Sequence, residues 1–452
     1  MTDSTLFDLI VIGTGAGGFA PAMKCAKAGW RVAIIDEEPF GGTCALRGCD
    51  PKKILIQAAE LVDWHQRMSP HGVVGSAKID WPALMRFKRS FTDPVSERRE
   101  KALHDAGVLT LHGVARFVGR DILAIGDDQL RGKFFVVAAG ARPAPLKIPG
   151  EGEVKTSTDF LELDALPRRI AFIGAGYISF ELAHLSQLAG AHVTVVGRNP
   201  LSRFDQDLVV ELVKRSRELG IEMKLGYEVS GVERIGDHVR VHCSAENGTE
   251  FVDVDYVVHG AGRIPNIDGL SLGTANIDSD PKQGVIVNEF LQSVSNETVY
   301  AAGDSTLPEG SAALTPVAGM EAAVVASNLL TGNHARADYR AIPSVVFTNP
   351  PLSSVGLTEA KAHEQQLDFV VNTADTSEWF TNSSVASPYG RFKTLIDTHT
   401  DRLLGAHLFG VHAEEVINLF ALAMKSGIKR DDLKHLLCSY PTSSSDLSHM
   451  LG

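Results

Sequence analysis

The sequence predicts an α/β protein built on two Rossmann-like dinucleotide-binding domains. Two observations carry this. A glycine-rich turn between a strand and a helix occurs twice, from Gly13 to Gly18 and from Gly174 to Ser179. A pair of thiols, Cys44 and Cys49, follows directly on the first of these units.

The first unit begins with an apolar run, Leu6 to Ile12, interrupted by Asp8, which reads as a buried strand over Asp8–Val11. The turn Gly13-Thr14-Gly15-Ala16-Gly17-Gly18 opens a helix over Phe19–Ala28, and a second strand over Arg31–Ile35 ends in Asp36. Gly13, Gly15 and Gly18 make the turn and let the helix N-terminus approach a pyrophosphate, while Asp36 lies where an acid grips a ribose hydroxyl. A lone GxGxxG says little; strand, helix, second strand and acid in register are specific.

The thiols lie in Gly41-Gly42-Thr43-Cys44-Ala45-Leu46-Arg47-Gly48-Cys49-Asp50-Pro51-Lys52-Lys53. Pro51 suits the first turn of a helix, which runs on through Lys52–Glu60. Cys49 then lies beside a helix N-terminus, where the partial positive charge, with Lys52 and Lys53, favours a thiolate. Four intervening residues can close a small ring, so the pair can cycle between dithiol and disulfide. A structural disulfide or a metal knuckle is the bland alternative. No second cysteine or histidine pair follows at ligand spacing, so no metal site is expected.

The second turn, Gly174-Ala175-Gly176-Tyr177-Ile178-Ser179, follows the strand Arg169–Phe172, with Ser179 in place of the third glycine. The next strand, His192–Val196, ends in Gly197-Arg198 where an NAD site would carry an acid. Arg198, with Arg203 nearby, suits the 2′-phosphate of NADPH, leaving NADH as the lesser cofactor; two solvated loop arginines are the alternative. Farther on, the β-rich run from Thr298 ends in Ala301-Ala302-Gly303 and then a carboxylate, Asp304.

Composition bounds the rest. A chain of 452 residues predicts two to four domains. A net charge of −12 argues against nucleic acid or an anionic membrane as the main partner. Five cysteines are too few and too scattered for a secreted disulfide scaffold, so a reducing cytoplasm is the expected setting. The N-terminus shows no signal-peptide pattern, and no apolar run is long enough to span a membrane.

These motifs resemble the pyridine nucleotide–disulfide oxidoreductases, and the similarity runs along the whole chain. Val137-Ala138-Ala139-Gly140-Ala141-Arg142-Pro143 resembles the family's exit from the FAD domain, and Gly262-Arg263-Ile264-Pro265-Asn266 its return from the NAD(P) domain. Thr348-Asn349-Pro350-Pro351 and Ser354-Val355-Gly356-Leu357-Thr358-Glu359 resemble the start of its dimerisation domain. The resemblance implies an FAD domain over residues 1–147 and 269–335, an NAD(P)H domain over 148–268 and a C-terminal α+β dimerisation domain over 338–452. It implies a homodimer that passes electrons to a small-molecule acceptor. Gly13, Gly15, Gly18, Asp36 and Asp304 would hold FAD, with Gly42, Thr43 and Arg263 as further cofactor-binding residues. Gly174, Gly176, Arg198 and Arg203 would hold NADPH, and Tyr177 would gate the nicotinamide pocket. Lys53, with Lys52 as second choice, would pair with Glu181 in a buried ion pair beside the flavin. Cys49 would face the flavin and Cys44 would attack the acceptor.

The chain departs from the family at its C-terminus. Tyr440, in Ser439-Tyr440-Pro441-Thr442, stands where disulfide reductases carry the acid–base histidine, and Ser445 stands at the partner glutamate. Tyrosine titrates near pH ~10 and is a poor base at neutrality. Asp446 and His449 lie close in sequence but at other spacings. Ala16, Met23 and Ala323 replace residues with which family members grip glutathione. Asp50 follows Cys49 directly, where the family usually has an apolar residue. Cys438 is a lone candidate for the duty of the vicinal C-terminal cysteines of mercuric reductases, with a buried structural thiol as the alternative. These features favour an NADPH-dependent flavoprotein reductase of a non-glutathione disulfide. The alternatives are a reductase of a metal ion or quinone, and a redox-sensing flavin scaffold without turnover.

Overall fold

The computed structural model describes residues 6–246 and 248–452. It folds as two compact units. The first takes the chain up to Pro51, Phe87–Ala144 and Arg263–Tyr339; the second takes Lys52–Arg86, Pro145–Gly262 and Arg340–Gly452.

The first unit is built on a twisted sheet. Its strands are β1 (Leu6–Ile12), β2 (Val32–Asp36), β3 (Leu109–His112), β4 (Ala115–Gly119), β5 (Ile122–Ile125) and β6 (Asp128–Val137), in the order β3-β2-β1-β6-β5-β4. β1 pairs in parallel with β2 and β6, placing Ile10 opposite both Ala33 and Phe135. The short strand Val299–Ala301 joins β6 in parallel and ends beside Asp304. Phe7, Ile10, Ile12, Ala33, Ile35, Phe135 and Val137 pack into one core, while Leu9, Val11, Val32, Ile34 and Val136 pack into another with Ala22 and Cys25 of helix α1 (Ala16–Lys27). Both faces of β1 and β2 are therefore covered, which is why these strands read as continuous apolar runs rather than alternating ones. Helix α1 begins at Ala16, earlier than the sequence suggested, because the glycine turn closes at Gly15.

The second unit contains a parallel sheet of Glu222–Leu225, His192–Gly197, Arg169–Ile173 and Tyr256–His259, in that order. Beside it in sequence lies an antiparallel meander, Glu228–Ile235, His238–Ala245 and Gly248–Val254. The C-terminal part has the expected α+β form: a five-stranded antiparallel sheet with the helix Ala413–Ser426 packed on it.

Residues 52–86, assigned from sequence to the first segment, pack within the second unit. Burial explains this. Helix α3 (Cys49–Met68), which follows the short α2 (Gly42–Arg47), buries Leu55, Ile56 and Ala59 against Trp81, Phe160, Phe172 and Leu182. Its Asp63 accepts a hydrogen bond from the guanidinium of Arg215, and both side chains are buried. Breaking such a pair costs about 3–5 kcal/mol. Among the described residues no helix is long and apolar enough to cross a membrane.

Candidate active site

In the first unit the glycine turn offers bare backbone. Gly13 has φ +101°, and a Cβ there would collide with the carbonyl of Ala138. A Cβ on Gly18 would strike the carbonyl of Gly13. Gly15 is the N-cap of α1 and gives it no side-chain cap, so the first-turn amides can turn to a phosphate. Gly42 (φ +75°) faces Gly15 so closely that a side chain on it would run into the Gly15 backbone. Thr14, which sequence reasoning passed over, ties these pieces together. Its amide and hydroxyl both donate to Asp36 Oδ2, at 2.8 and 2.6 Å. Its hydroxyl oxygen accepts the amide of Gly41 at 3.0 Å. Asp36 Oδ1 accepts the amide of Glu38.

Asp304 lies in the turn after Val299–Ala301. Burial pushes its carboxyl up from the ordinary carboxylate range, and the nearby Arg263 opposes that shift. Arg263 also donates to the carbonyl of Ala141. Glu321 holds this turn in place. It is fully buried and accepts the Gly303 amide at 2.7 Å, the Ser311 hydroxyl at 2.9 Å and the Tyr339 hydroxyl at 2.8 Å. Its signal in the sequence was present: it is the one charged residue in the apolar helix Thr315–Thr331. A glycine cradle, an uncapped helix N-terminus and a carboxylate at the end of a strand together fit a flavin dinucleotide.

The two site thiols differ in exposure. Cys44 lies in α2 and is half-buried; Cys49 is the first residue of α3 and is exposed. The sequence placed the helix start just after Cys49, and the structure puts Cys49 inside the first turn. The two helices abut at Gly48, where a Cβ would sit 2.8 Å from the carbonyl oxygen of Thr43. Cys44 Sγ donates to Asp50 Oδ1 at 3.8 Å, and Cys49 Sγ lies 3.6 Å from the hydroxyl of Thr315. The Cys44 thiol is pushed well above its ordinary value, first by its hydrogen bond with Cys49 and then by burial. By contrast Cys25 and Cys243 are fully buried, and burial raises them to about 12 and about 11, as suits inert core thiols.

In the second unit the second glycine turn repeats the first. Gly174 has φ +100° and its Cβ would press on Gly260 and Ala261. Gly176 is the N-cap of the helix Tyr177–Leu188, again without a side-chain cap. Tyr177 opens that helix and is 46% exposed. Ser179 is buried at the third-glycine position, and the space for it is provided by Gly260, whose Cβ would strike the serine hydroxyl. Arg198 and Arg203 are both exposed. Arg198 pairs with Glu228 Oε1 at 2.7 Å, a carboxylate that the sequence reading had not placed there.

The ion pair corrects one expectation. Glu181 is fully buried, and its partner is Lys52, not Lys53: Lys52 Nζ lies 2.6 Å from Glu181 Oε2. Glu181 Oε1 accepts the amide of Phe347 at 2.9 Å. Lys53 instead sets its ammonium 4.3 Å from the centroid of the Phe347 ring.

At the C-terminus Tyr440 is 79% exposed, its ring 6.4 Å from that of Phe380, and the Tyr440–Pro441 peptide is cis. Ser445 is used locally, in a capping box with Thr442. Asp446 accepts from the Thr381 hydroxyl, and burial raises its carboxyl. His449 sets its ring edge-on to Trp379. Among the described residues there is no cluster of three or more histidine, cysteine or acidic side chains able to hold a metal ion.

Comparison with known proteins agrees with this geometry. Residues 7–326 match the family model described as pyridine nucleotide-disulphide oxidoreductase, and residues 342–451 match that family's dimerisation domain. A mercuric reductase from Lysinibacillus sphaericus is 32% identical, over 98% of this chain and 81% of its own length. A glutathione reductase from Nostoc sp. is 31% identical, over 98% of this chain and 99% of its own. Among solved structures, the HOCl-induced flavoprotein disulfide reductase RclA from Escherichia coli superposes with a TM-score of 0.87 at 26% identity, covering 98% of this chain and 99% of that one.

Proposed function

Starting from a chain that belongs to the pyridine nucleotide-disulphide oxidoreductase family, we propose an NADPH-dependent flavoprotein reductase that uses Cys44 and Cys49 to reduce a small disulfide other than glutathione disulfide. The observation that carries this reading is the placement of two cysteines in the first turns of α2 and α3, with α2 itself beginning at the Gly42 that faces the Gly15 cradle. FAD, when bound, supplies the two-electron relay between the nicotinamide and the dithiol. The chain's own residues then do the thiol chemistry. Reduced, the pair carries one proton and one negative charge. Cys44 attacks the acceptor RSSR, forms a Cys44–S–SR bond and releases RSH, which leaves with the Cys44 proton. The Cys49 thiolate then attacks the Cys44 sulfur, expels RS⁻ and restores the Cys44–Cys49 disulfide.

Two features support a non-glutathione acceptor. Ala16, Met23 and Ala323 provide no charged clamp for a peptide carboxylate, and Tyr440 provides only a phenol at the position of the family's histidine. Glutathione disulfide should therefore be a poor substrate near neutral pH. Tyr440→His combined with Ser445→Glu should raise its turnover at least about tenfold, since a placed general acid is worth roughly 10²–10⁴ in rate. Family-typical turnover by the wild type would overturn this.

The nucleotide preference rests on Gly197, which brings no carboxylate, and on Arg198 and Arg203. Each charge-assisted hydrogen bond to a 2′-phosphate contributes about 1.5–3 kcal/mol. NADPH should be preferred about tenfold or more in kcat/KM, and Arg198→Ala should cut that preference. Equal efficiency with NADH would refute it.

A second reading, reduction of a metal ion or quinone, is favoured by Tyr440, because neither acceptor needs the missing histidine, and by the mercuric reductases among the relatives. Steady-state oxidation of NADPH with a panel of disulfides, Hg(II) and quinones separates the two. Failure of NADPH to bleach the flavin would leave only a scaffold without turnover.

A further inference from the structure

Asp50 is an acid in direct contact with one of the two thiols. It is the second residue of α3, exposed, and it accepts a hydrogen bond from Cys44 Sγ at 3.8 Å. Two sulfurs with four residues between them thus have different surroundings. Cys44 faces Asp50 and Cys49 from α3 and Thr315 from the helix Thr315–Thr331. On its own helix, Arg47 is turned away to Glu38, at 3.3 Å. Cys49 has the N-terminal end of a 20-residue helix and the Thr315 hydroxyl at 3.6 Å.

Electrostatics ranks the two sites for a single negative charge. A carboxylate in contact with a sulfur disfavours an anion there and favours an S–H that donates to it. A helix N-terminus favours a thiolate, while the Thr315 hydroxyl faces both sulfurs and does not rank them. We infer that Asp50 is a positioning residue for the dithiol: it holds the one proton of the reduced pair on Cys44 and so keeps the negative charge on Cys49. This rests on the proposed reading that the pair cycles between disulfide and dithiol. The consequence for substrate class is direct. Cys44 rests as a thiol, so the enzyme favours acceptors whose leaving group takes a proton readily, and spontaneous alkylation or oxidation of Cys44 is suppressed between turnovers.

The test uses the full-length, FAD-loaded enzyme as wild type, Asp50→Asn and Asp50→Glu. Each is reduced with dithiothreitol, desalted without oxygen and pulse-alkylated with iodoacetamide over a range of pH, with Cys44 and Cys49 peptides quantified separately. Asp50→Asn should alkylate at Cys44 about tenfold faster near pH ~7, the change expected for a shift of one pKa unit. Its long-wavelength flavin–thiolate absorbance should weaken as Cys44 takes a share of the charge. Asp50→Glu should restore the wild-type profile. Superimposable Cys44 profiles for wild type and Asp50→Asn would overturn the inference. A separate arm adds NADPH to the oxidised wild type. If it exposes no Cys44 or Cys49 thiol while the dithiothreitol-reduced profiles still separate, the proposed function fails and the assignment of Asp50 stands.

Discussion

Cys49→Ser should abolish both the long-wavelength absorbance of the two-electron-reduced enzyme and NADPH-driven turnover, whereas Cys44→Ser should lose turnover but show a thiolate band with oxidised flavin. The asymmetry follows from position. Cys49 is the first residue of α3, and the helix N-terminus there favours the anion. Cys44 is half-buried and donates to a carboxylate, a setting that favours the thiol. Serine has no accessible anion near neutral pH and cannot form the disulfide, so the loss at either position should reach several orders of magnitude in kcat. Visible spectra during anaerobic titration with NADPH decide it. A band that survives Cys49→Ser and disappears in Cys44→Ser would reverse the assignment.

The second large effect should come from Lys52→Met. Glu181 is fully buried and its Oε2 has Lys52 at 2.6 Å, with the lysine side chain itself largely covered. Removing the ammonium leaves a buried carboxylate that keeps the hydrogen bond from the Phe347 amide but loses its counter-ion. Breaking a buried pair from one side costs about 3–5 kcal/mol. Lys53→Met removes instead a cation over the Phe347 ring, a contact of about 0.5–1 kcal/mol at a partly exposed site. Urea denaturation of the two variants should therefore separate them clearly, with Lys52→Met far less stable. A double variant, Lys52→Met with Glu181→Gln, should recover most of the loss. Equal midpoints for the two lysine variants would show that the pair contributes nothing.

What the sequence disclosed and what it hid divide along physical lines. Apolar runs such as Leu9 to Ile12 are legible because a strand stretch covered on both faces needs every side chain apolar. The glycine turns are legible because a positive φ and a close backbone approach admit almost no other residue at Gly13 or Gly174. The choice between Lys52 and Lys53 was not legible. Adjacent residues on a helix point about 100° apart, and which of them reaches Glu181 depends on how α3 packs through Leu55, Ile56 and Ala59. Thr14 was hidden for another reason: its three hydrogen bonds reach Asp36 and Gly41, more than twenty residues away. Glu228 beside Arg198 is likewise a contact made by strand placement rather than by any local pattern.

The facing of Gly15 and Gly42 has a mechanical consequence. Thr14 grips Asp36 on one side and the Gly41 amide on the other, and Gly42 begins α2 with no side chain to keep it from the Gly15 backbone. The glycine loop after β1 and the helix that carries Cys44 are thus clamped as a single part. Any residue larger than glycine at 42 would act as a shim, tilting the thiol helix away from the nucleotide loop by the thickness of a methyl group. A chain altered in this way would keep every side chain of the glycine loop and both cysteines and still hold the Cys44 helix out of register with that loop.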